Sequence, residues 1–469
     1  MAQLIYDTLA RRLASKPSVR VQGRVAGVDG AVLRVRGLRN FLAYGDRCMV
    51  ATREGREIVA EVAAFDSDHA ILLPYSDVEG IARDAPVTLY PGISALHPDT
   101  SWRGRVLDAF GSPIDGKPPL LNGMRAYPFA AQPLPSHSRR LWGKRMATGV
   151  RALDTFVPCC RGQRLGIFAG SGVGKSVVLS MIAQFAEADT VVIGLIGERG
   201  REVREFLEHT LQEAGLARAV VVVATAEQSA LTRRLATRAV LAIAEYFRDQ
   251  GDHVLCMIDS LTRVAMAQRE IGLAIGELPA TRGYPPSVFA ELPKIVERAG
   301  PGIDRGIDRG VDRGIEKEND AGEAQDEAPE IGDITGLFTV LVEGDDTNEP
   351  ITDSLRGHLD GHVVLARRLA NRGHFPAVDV LASLSRSYPD CHLPETVSTV
   401  DRARRLLADY ADMEDLIRIG AYTKGLNPAV DEAIAFQQPL EAFLQQGKRE
   451  QSTDIEAIAA LSSIIQKGG

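Results

Sequence analysis

Leu4, Ile5, Leu9 and Leu13 recur at helical spacing among polar neighbours, and this pattern predicts an amphipathic helix over residues 1–18. Its apolar stripe must bury against the rest of the chain or against a partner helix. From Val19 to Tyr90 the text changes to short Val/Ile/Leu runs broken by Gly27, Asp29-Gly30, Gly45-Asp46, Asp66 to Asp68 and Asp84. Turn signals about every ten residues predict a small all-β unit, a compact barrel or sandwich, over residues 19–92.

After a Gly/Pro-rich connector from Gly104 to Pro135, strands and helices alternate. Arg164 to Phe168 reads as a strand, followed by a glycine loop and a helix with Val177, Val178, Met181, Ile182 and Phe185 on one face. Thr190 to Ile196 is the next strand, and it leads to a helix striped by Val203, Phe206, Leu207, Thr210 and Leu211. Ala219 to Thr225 and His253 to Ile258 continue the strand series. Such alternation predicts an α/β fold with a parallel sheet and right-handed crossovers, here over residues 93–390. Within it, residues 301–329 hold an imperfect Gly-Ile-Asp-Arg tetrad repeat and an acidic tract, too short and polar to stack, so a disordered insertion is expected. Beyond Pro394 the pattern turns helical, with Val400, Ala403, Leu406, Leu407 and Tyr410 on one face and a second series at Ile455, Ile458, Leu461 and Ile464. A C-terminal α-helical domain is expected over 391–469.

Composition narrows the function. The 469 residues are 45% hydrophobic and 25% charged with net charge -8, an ordinary globular balance that disfavours a protein built mainly to grip nucleic acid. The arginines at 20, 24, 34, 36 and 39 lack clustered aromatics for stacking bases and read as a solvated face. Asp7, Arg11 and Arg12 interrupt any leader-like apolar run, and no stretch approaches the roughly 20 apolar residues of a spanning helix. A cytoplasmic protein is expected. Five scattered cysteines, at 48, 159, 160, 256 and 391, fit reduced thiols and carry no assigned chemistry. Cys391 and His392 make a poor ligand pair, because adjacent residues seldom face one ion.

The chemistry concentrates at Ala169-Gly170-Ser171-Gly172-Val173-Gly174-Lys175-Ser176, between a predicted strand and a predicted helix opening into Val177. Glycines let successive N–H groups curl around one anion, Lys175 adds a positive charge near the β- and γ-phosphates of ATP, and the Ser176 hydroxyl can ligate Mg²⁺. Ala169 departs from the strict pattern, which has glycine first. Glu198 follows the next strand and Asp259 ends the strand His253 to Ile258, and in a parallel sheet all three strand ends meet at one edge. Asp259 is placed to hold the metal's waters and Glu198 to polarise the attacking water. Arg199 and Arg263 are candidates for neutralising charge on the transferring phosphoryl group. Taken singly, Glu198 also fits a polar surface turn, Asp259 a helix cap, and each arginine a surface ion pair.

These motifs resemble those of the type III protein-export ATPases, relatives of the catalytic subunit of rotary ATP synthases. The resemblance runs nearly end to end and is strongest over Arg161 to Ser176, Gly194 to Phe206, Met257 to Gly300 and Gly344 to Arg386. It implies a P-loop NTPase core with a RecA-like parallel sheet, an N-terminal β-barrel and a C-terminal helical domain, working as a homo-hexamer. By matching position it makes Glu202 and Asp259 metal-site residues, puts Arg199 and Arg263 at the γ-phosphate, makes Phe375 an adenine-stacking ring, and makes Arg386 an arginine finger reaching a neighbour's site. Implied partners are stalk or regulator proteins held by the N-terminal helix, a central stalk protein, an export gate at the inner membrane and chaperone–cargo complexes, with no stable nucleic acid. The segment Trp142 to Val150 and the surroundings of Cys159-Cys160 look more like flagellar than virulence versions. The short span between Arg386 and Val397 leaves little room for the long acidic lever loop of the rotary synthase subunit. Other readings are a ring-shaped RNA translocase, which needs a basic, aromatic-studded N-terminal unit, and a non-catalytic nucleotide-binding ring subunit, against which Glu198 argues.

Overall fold

The computed structural model describes residues 21–90, 94–303, 332–342 and 349–467. The expected N-terminal helix lies outside the described residues, as does the repeat insertion from residue 304 on. The chain divides into two compact units, the first running to Ser94 with Gln228–Thr232 and Glu270–Leu278, the second holding the remainder.

In the first unit, strands β1 (Gln22–Asp29), β2 (Val32–Arg36), β3 (Arg47–Ala51), β4 (Glu57–Phe65), β5 (Ala70–Pro74) and β6 (Pro86–Leu89) close into a barrel of order β1-β2-β5-β4-β3-β6. Period-two alternation turns Val25, Leu33, Val35, Val50, Val62, Leu72 and Val87 inward, all fully buried. Arg24, Arg34, Arg36 and Arg39 lie outward, where Arg34 pairs with Asp29 at 2.9 Å and Arg36 with Asp84 at 2.6 Å. Among the described residues the arginine row is therefore a solvated, internally paired face of the barrel; Arg20 lies outside them.

The second unit is built on an eight-stranded sheet, β7 (Arg105–Leu107), β8 (Arg164–Ala169), β9 (Thr190–Glu198), β10 (Ala219–Thr225), β11 (His253–Asp259), β12 (Asp333–Leu341), β13 (Gly361–Leu365) and β14 (Val378–Ser385). Its order is β14-β13-β8-β12-β11-β9-β10-β7, and only the β13/β14 pair is antiparallel. Near-continuous apolar runs such as Ala219–Ala224 are buried throughout, as strands covered on both faces must be. The three site-bearing strands are thus not all neighbours: β12 lies between β8 and β11, a strand whose partner order no local pattern announces.

The C-terminal part of this unit is formed by helices α2 (Pro394–Arg418), α3 (Pro428–Leu444) and α4 (Asp454–Lys467), numbered after α1 (Lys175–Phe185) of the site. Pro394 and Pro428 stand at the first helical positions, where a missing N–H costs nothing, and the Asn427 side chain caps α3 by accepting from Ala429 N at 3.0 Å. Val400, Ala403 and Leu406 are buried as the pattern predicts. In α4 the buried row is Ala457, Leu461 and Ile465; Ile455 is 76% exposed, because the row spaced by four turns it outward. Val400, Ala403, Leu406, Leu461 and Ile465 share one core with Val150, Leu153 and Phe156 and with the sheet.

Candidate active site

β8 ends at Ala169, and the chain turns through Gly170 to Gly174 into α1. Gly172 and Gly174 have φ of 75° and 91°, a left-handed backbone that side chains disfavour, and these turns curl the loop. Val173 is fully buried and anchors it, while Ser171, Gly172 and Ser176 stay exposed. Val177 belongs by spacing to the apolar stripe of α1 yet is 38% exposed, because it faces a cleft rather than the core.

That cleft, about 490 Å³, is lined by Ser176, Val177, Glu198, Glu202 and Asp259 and, on the C-terminal helical side, by Lys448 and Arg449. Leu195 lines it too, and strict alternation would send Glu198 to the opposite face of the sheet. The register of β9 against β10 shifts between Ile196 and Glu198, a bulge at Gly197 with φ of 73°. One extra residue in the strand brings Glu198 back to the face of Leu195.

The Lys175 ammonium lies between both carboxylates, hydrogen-bonded to Asp259 and 3.4 Å from Glu198 Oε1. Asp259 is 6% exposed and accepts a further hydrogen bond from Thr339 Oγ1 at 2.7 Å. Burial alone would depress the lysine, but Asp259 and Glu198 outweigh it and hold its pKa above the ordinary value. Glu198 goes up to about 7: desolvation dominates, Lys175 only partly opposes it, and the charge on Asp259 and a hydrogen bond that protonated Glu198 donates to Glu202 add to it. A carboxyl poised near neutrality can exchange a proton at physiological pH.

Other predicted residues fall differently. Arg263 is part-buried on the helix after Asp259, its Cβ 2.8 Å from where a side chain on Gly197 would begin, so it packs over the bulge that aims Glu198. The Arg199 side chain is 82% exposed and 3.7 Å from Glu202, outside the residues lining the cleft. The Phe375 ring is 44% exposed and borders the phosphate loop, 3.5 Å from a Cβ built on Gly174. Arg386 lies elsewhere: Ser385 pairs with Gly361, which pairs with Leu165, whereas the phosphate loop starts four rungs along at Ala169. At about 3.3 Å per residue that is roughly 13 Å toward the opposite end of the sheet.

Sequence reasoning missed Thr339, Gln446, Lys448 and Arg449. A threonine within a strand reads as β propensity, and nothing local distinguishes the 445–450 loop. Gln446 is 6% exposed, accepts from Arg151 N at 2.8 Å and donates to Gly149 O at 2.9 Å, while its own N–H donates to Phe375 O at 2.9 Å. The loop before the last helix is thereby fastened to the backbone of Gly149, Arg151 and Phe375, the last beside the phosphate loop.

A glycine loop opening a helix, its lysine flanked by carboxylates from neighbouring strand ends, defines a nucleoside triphosphatase of the P-loop class. Family models place it further: ATP synthase alpha/beta family, beta-barrel domain, matches residues 25–89, the nucleotide-binding domain of the same family residues 149–385, and T3SS EscN ATPase C-terminal domain residues 393–463. The chain belongs to the ATP synthase alpha/beta family. It is 50% identical over 446 residues to a flagellum-specific ATP synthase of Caulobacter vibrioides, covering 95% of this chain and 96% of the relative. It is also similar to the assembled ATPase EscN from the enteropathogenic E. coli type III secretion system (TM-score 0.83, 38% identity, 94% of this chain and 100% of the other). EscN in complex with its central stalk EscO gives TM-score 0.81 at 36% identity, with coverage of 94% and 100%.

Proposed function

We propose that this protein hydrolyses ATP to energise type III protein export, with flagellar subunits as cargo, working as a ring of six identical chains at the cytoplasmic face of an export gate. The observation that carries the reading is the meeting of Lys175, Glu198 and Asp259 at one sheet edge. In this reading the N–H groups of Gly170 to Gly174 and Lys175 bind the β- and γ-phosphates, and Phe375 stacks on the adenine. Glu198 takes a proton from, and aligns, the attacking water.

The donor set fits magnesium: the Ser176 hydroxyl with Glu202 and Asp259 on one cleft supplies the hard oxygen ligands that ion prefers, directly or through water. Bound magnesium supplies charge neutralisation on the phosphate oxygens. Arg263, packed over the bulge, and Arg199, on the exposed first turn after β9, are assigned to the γ-phosphate end. Arg386 is assigned to a neighbour's site, since it lies toward the far end of its own sheet. The likeness to assembled EscN and its stalk complex supports a ring around a central stalk. Regulator proteins on the N-terminal helix and chaperone–cargo complexes complete the proposed partners.

Phosphate release from the purified chain tests the reading. Glu198→Gln is expected to abolish steady turnover while fluorescent-nucleotide binding persists; undiminished hydrolysis removes Glu198 from its role.

A further inference from the structure

At the end of the sheet where β8, β11 and β12 begin, opposite the phosphate loop, the second unit holds a cavity of about 340 Å³ that the ATPase reading leaves unused. Arg140, Lys144, Arg161, Asp189, His253 and Asp333 line it. Its volume is that of a small-molecule site rather than of a trapped water. Backbone contacts fix the walls. Gly143 N donates to Arg161 O and Arg161 N to Lys144 O, each at 2.9 Å, so Lys144 and Arg161 stand on paired segments. The lack of a side chain at Gly143 brings these segments close to β12: a Cβ built there falls 3.0 Å from Arg161 Cβ and 3.5 Å from Asp333 Oδ2. Asp189 Oδ2 in turn accepts from His253 N at 2.8 Å and ties the entry of β9 to that of β11.

The charges on this lining are unequally satisfied. Asp333 Oδ1 accepts from Arg140 Nη2 at 2.8 Å and from Gly302 N at 2.9 Å, so that carboxylate is engaged. The side chains of Lys144 and Arg161 have no hydrogen-bond or ion-pair partner among the described residues, and Arg161 Nε is buried without an acceptor. Three cations stand against the carboxylates of Asp189 and Asp333, which leaves an excess of positive charge.

His253 adds a neutral donor. It is 3% exposed, and burial, helped by the charge on Arg161 against the pull of Asp333 and Asp189, brings its pKa down to about 4. The ring is therefore neutral at physiological pH and carries one N–H. Its Nε2 lies 2.9 Å from Thr335 Oγ1, which itself accepts from Gly162 N at 2.9 Å. Thr335 is fully buried, and its hydroxyl proton has no other acceptor among the described residues, so it points to Nε2 and the ring proton sits on Nδ1. Nδ1 has no partner either. Unsatisfied N–H groups beside one cavity cost free energy that an acceptor entering it recovers.

We propose that this cavity binds a phosphate-class oxyanion, free or as the head of a small phosphomonoester, with Lys144 and Arg161 as its charged ligands and the His253 Nδ1–H as a neutral donor. The site stands apart from the phosphate loop and does not rest on the ATPase reading.

The test uses the full chain carrying Lys175→Ala, which disables the phosphate loop, in equilibrium dialysis against radiolabelled inorganic phosphate at constant ionic strength. One saturable equivalent per chain is expected, weakened about tenfold by Lys144→Gln and by Arg161→Gln. Lys144 is exposed, so its variant is expected to keep the parent melting temperature in phosphate-free buffer and decides the matter if Arg161→Gln does not fold. No saturable equivalent, or one that Lys144→Gln leaves untouched, overturns the site, and displacement by chloride as effective as by unlabelled phosphate overturns its oxyanion selectivity. Glycerol 3-phosphate separates the two sources: displacement at lower concentration than unlabelled phosphate assigns the site to a phosphomonoester, displacement only at higher concentration to the free ion. Nitrogen-15 spectra of the histidine-labelled chain, with His253→Gln for assignment, are expected to show the ring proton on Nδ1 and a shift of that signal as phosphate is added. A proton on Nε2, or a signal that phosphate does not move, removes His253 from the site.

Discussion

At the scale of single residues, Glu198 makes the pH dependence specific. Its carboxyl is raised from 4.5 to about 7, so it is protonated and unable to accept a proton below neutrality and ionised above it. kcat/KM for ATP is therefore expected to climb as pH passes through about 7 from below, and a pH–rate profile checks it. Stability runs the other way. Between its unfolded value and 7 the native chain binds more protons at this site, so folding loses stability as pH rises through that window. Glu198→Gln is expected to gain melting temperature over the parent chain at pH 8 but not at pH 4, read by thermal scans. Glu198 and Asp259 were legible because each ends a strand in a parallel series, and Lys175 because it opens the helix after the glycine loop that follows such a strand, positions that point to the ligand edge. Thr339 was not, since its role exists only through the hydrogen bond to Asp259. Thr339→Val leaves that carboxylate short of one donor and is expected to cost about 1.5–3 kcal/mol, measured as a shift in urea midpoint, with Thr339→Ser close to neutral.

At the scale of elements, what matters is how a strand presents its last residue. The sequence ends the second strand of the series at Ile196, whereas β9 continues to Glu198 through a bulge. A bulge is invisible to period-two reasoning, because the residue that breaks the period is the glycine that looks like a stop signal. Gly197→Ala meets two obstacles, a φ of 73° and the Arg263 Cβ at 2.8 Å. The expected cost is about 1–3 kcal/mol in stability, together with a loss of turnover larger than the stability change explains, since both Glu198 and Arg263 are displaced. Calorimetry alongside phosphate release separates the two. Strand β12 escaped sequence reading for a different reason. It follows the polar repeat insertion, and its place between β8 and β11 follows from the crossover path rather than from any local composition. The helical domain was read in outline, but its last helix buries Ala457 in place of Ile455, since burial follows the row that meets α2 and α3 and not the largest side chains.

At the scale of the whole molecule, the sheet itself separates the phosphate loop from Arg386, the residue proposed to serve a neighbour's site. The phosphate loop follows the C-terminal end of β8, while Arg386 follows the last residue of antiparallel β14 and donates its N–H to Asp360 O at 2.9 Å, beside the Asp360–Arg164 ion pair that opens β8. Roughly 13 Å of strand lies between them, farther than an arginine side chain extends, so a fold that keeps this sheet intact cannot bring Arg386 to its own Lys175. In a closed ring every subunit meets its neighbour through the same unlike pair of faces, and a residue useless at home can serve next door. Arg386→Ala is accordingly expected to bind nucleotide normally and to lose on the order of 10³ in turnover even when assembled. Lys175→Ala is expected to be inactive through its own phosphate loop. Mixed in equal amounts and reassembled, the two chains create interfaces with an intact Lys175 on one side and an intact Arg386 on the other. Random assembly makes about one quarter of the sites of this kind, and phosphate release should return to that order of the parent rate. A mixture no more active than its two components, under conditions where light scattering shows rings, places Arg386 outside the reaction.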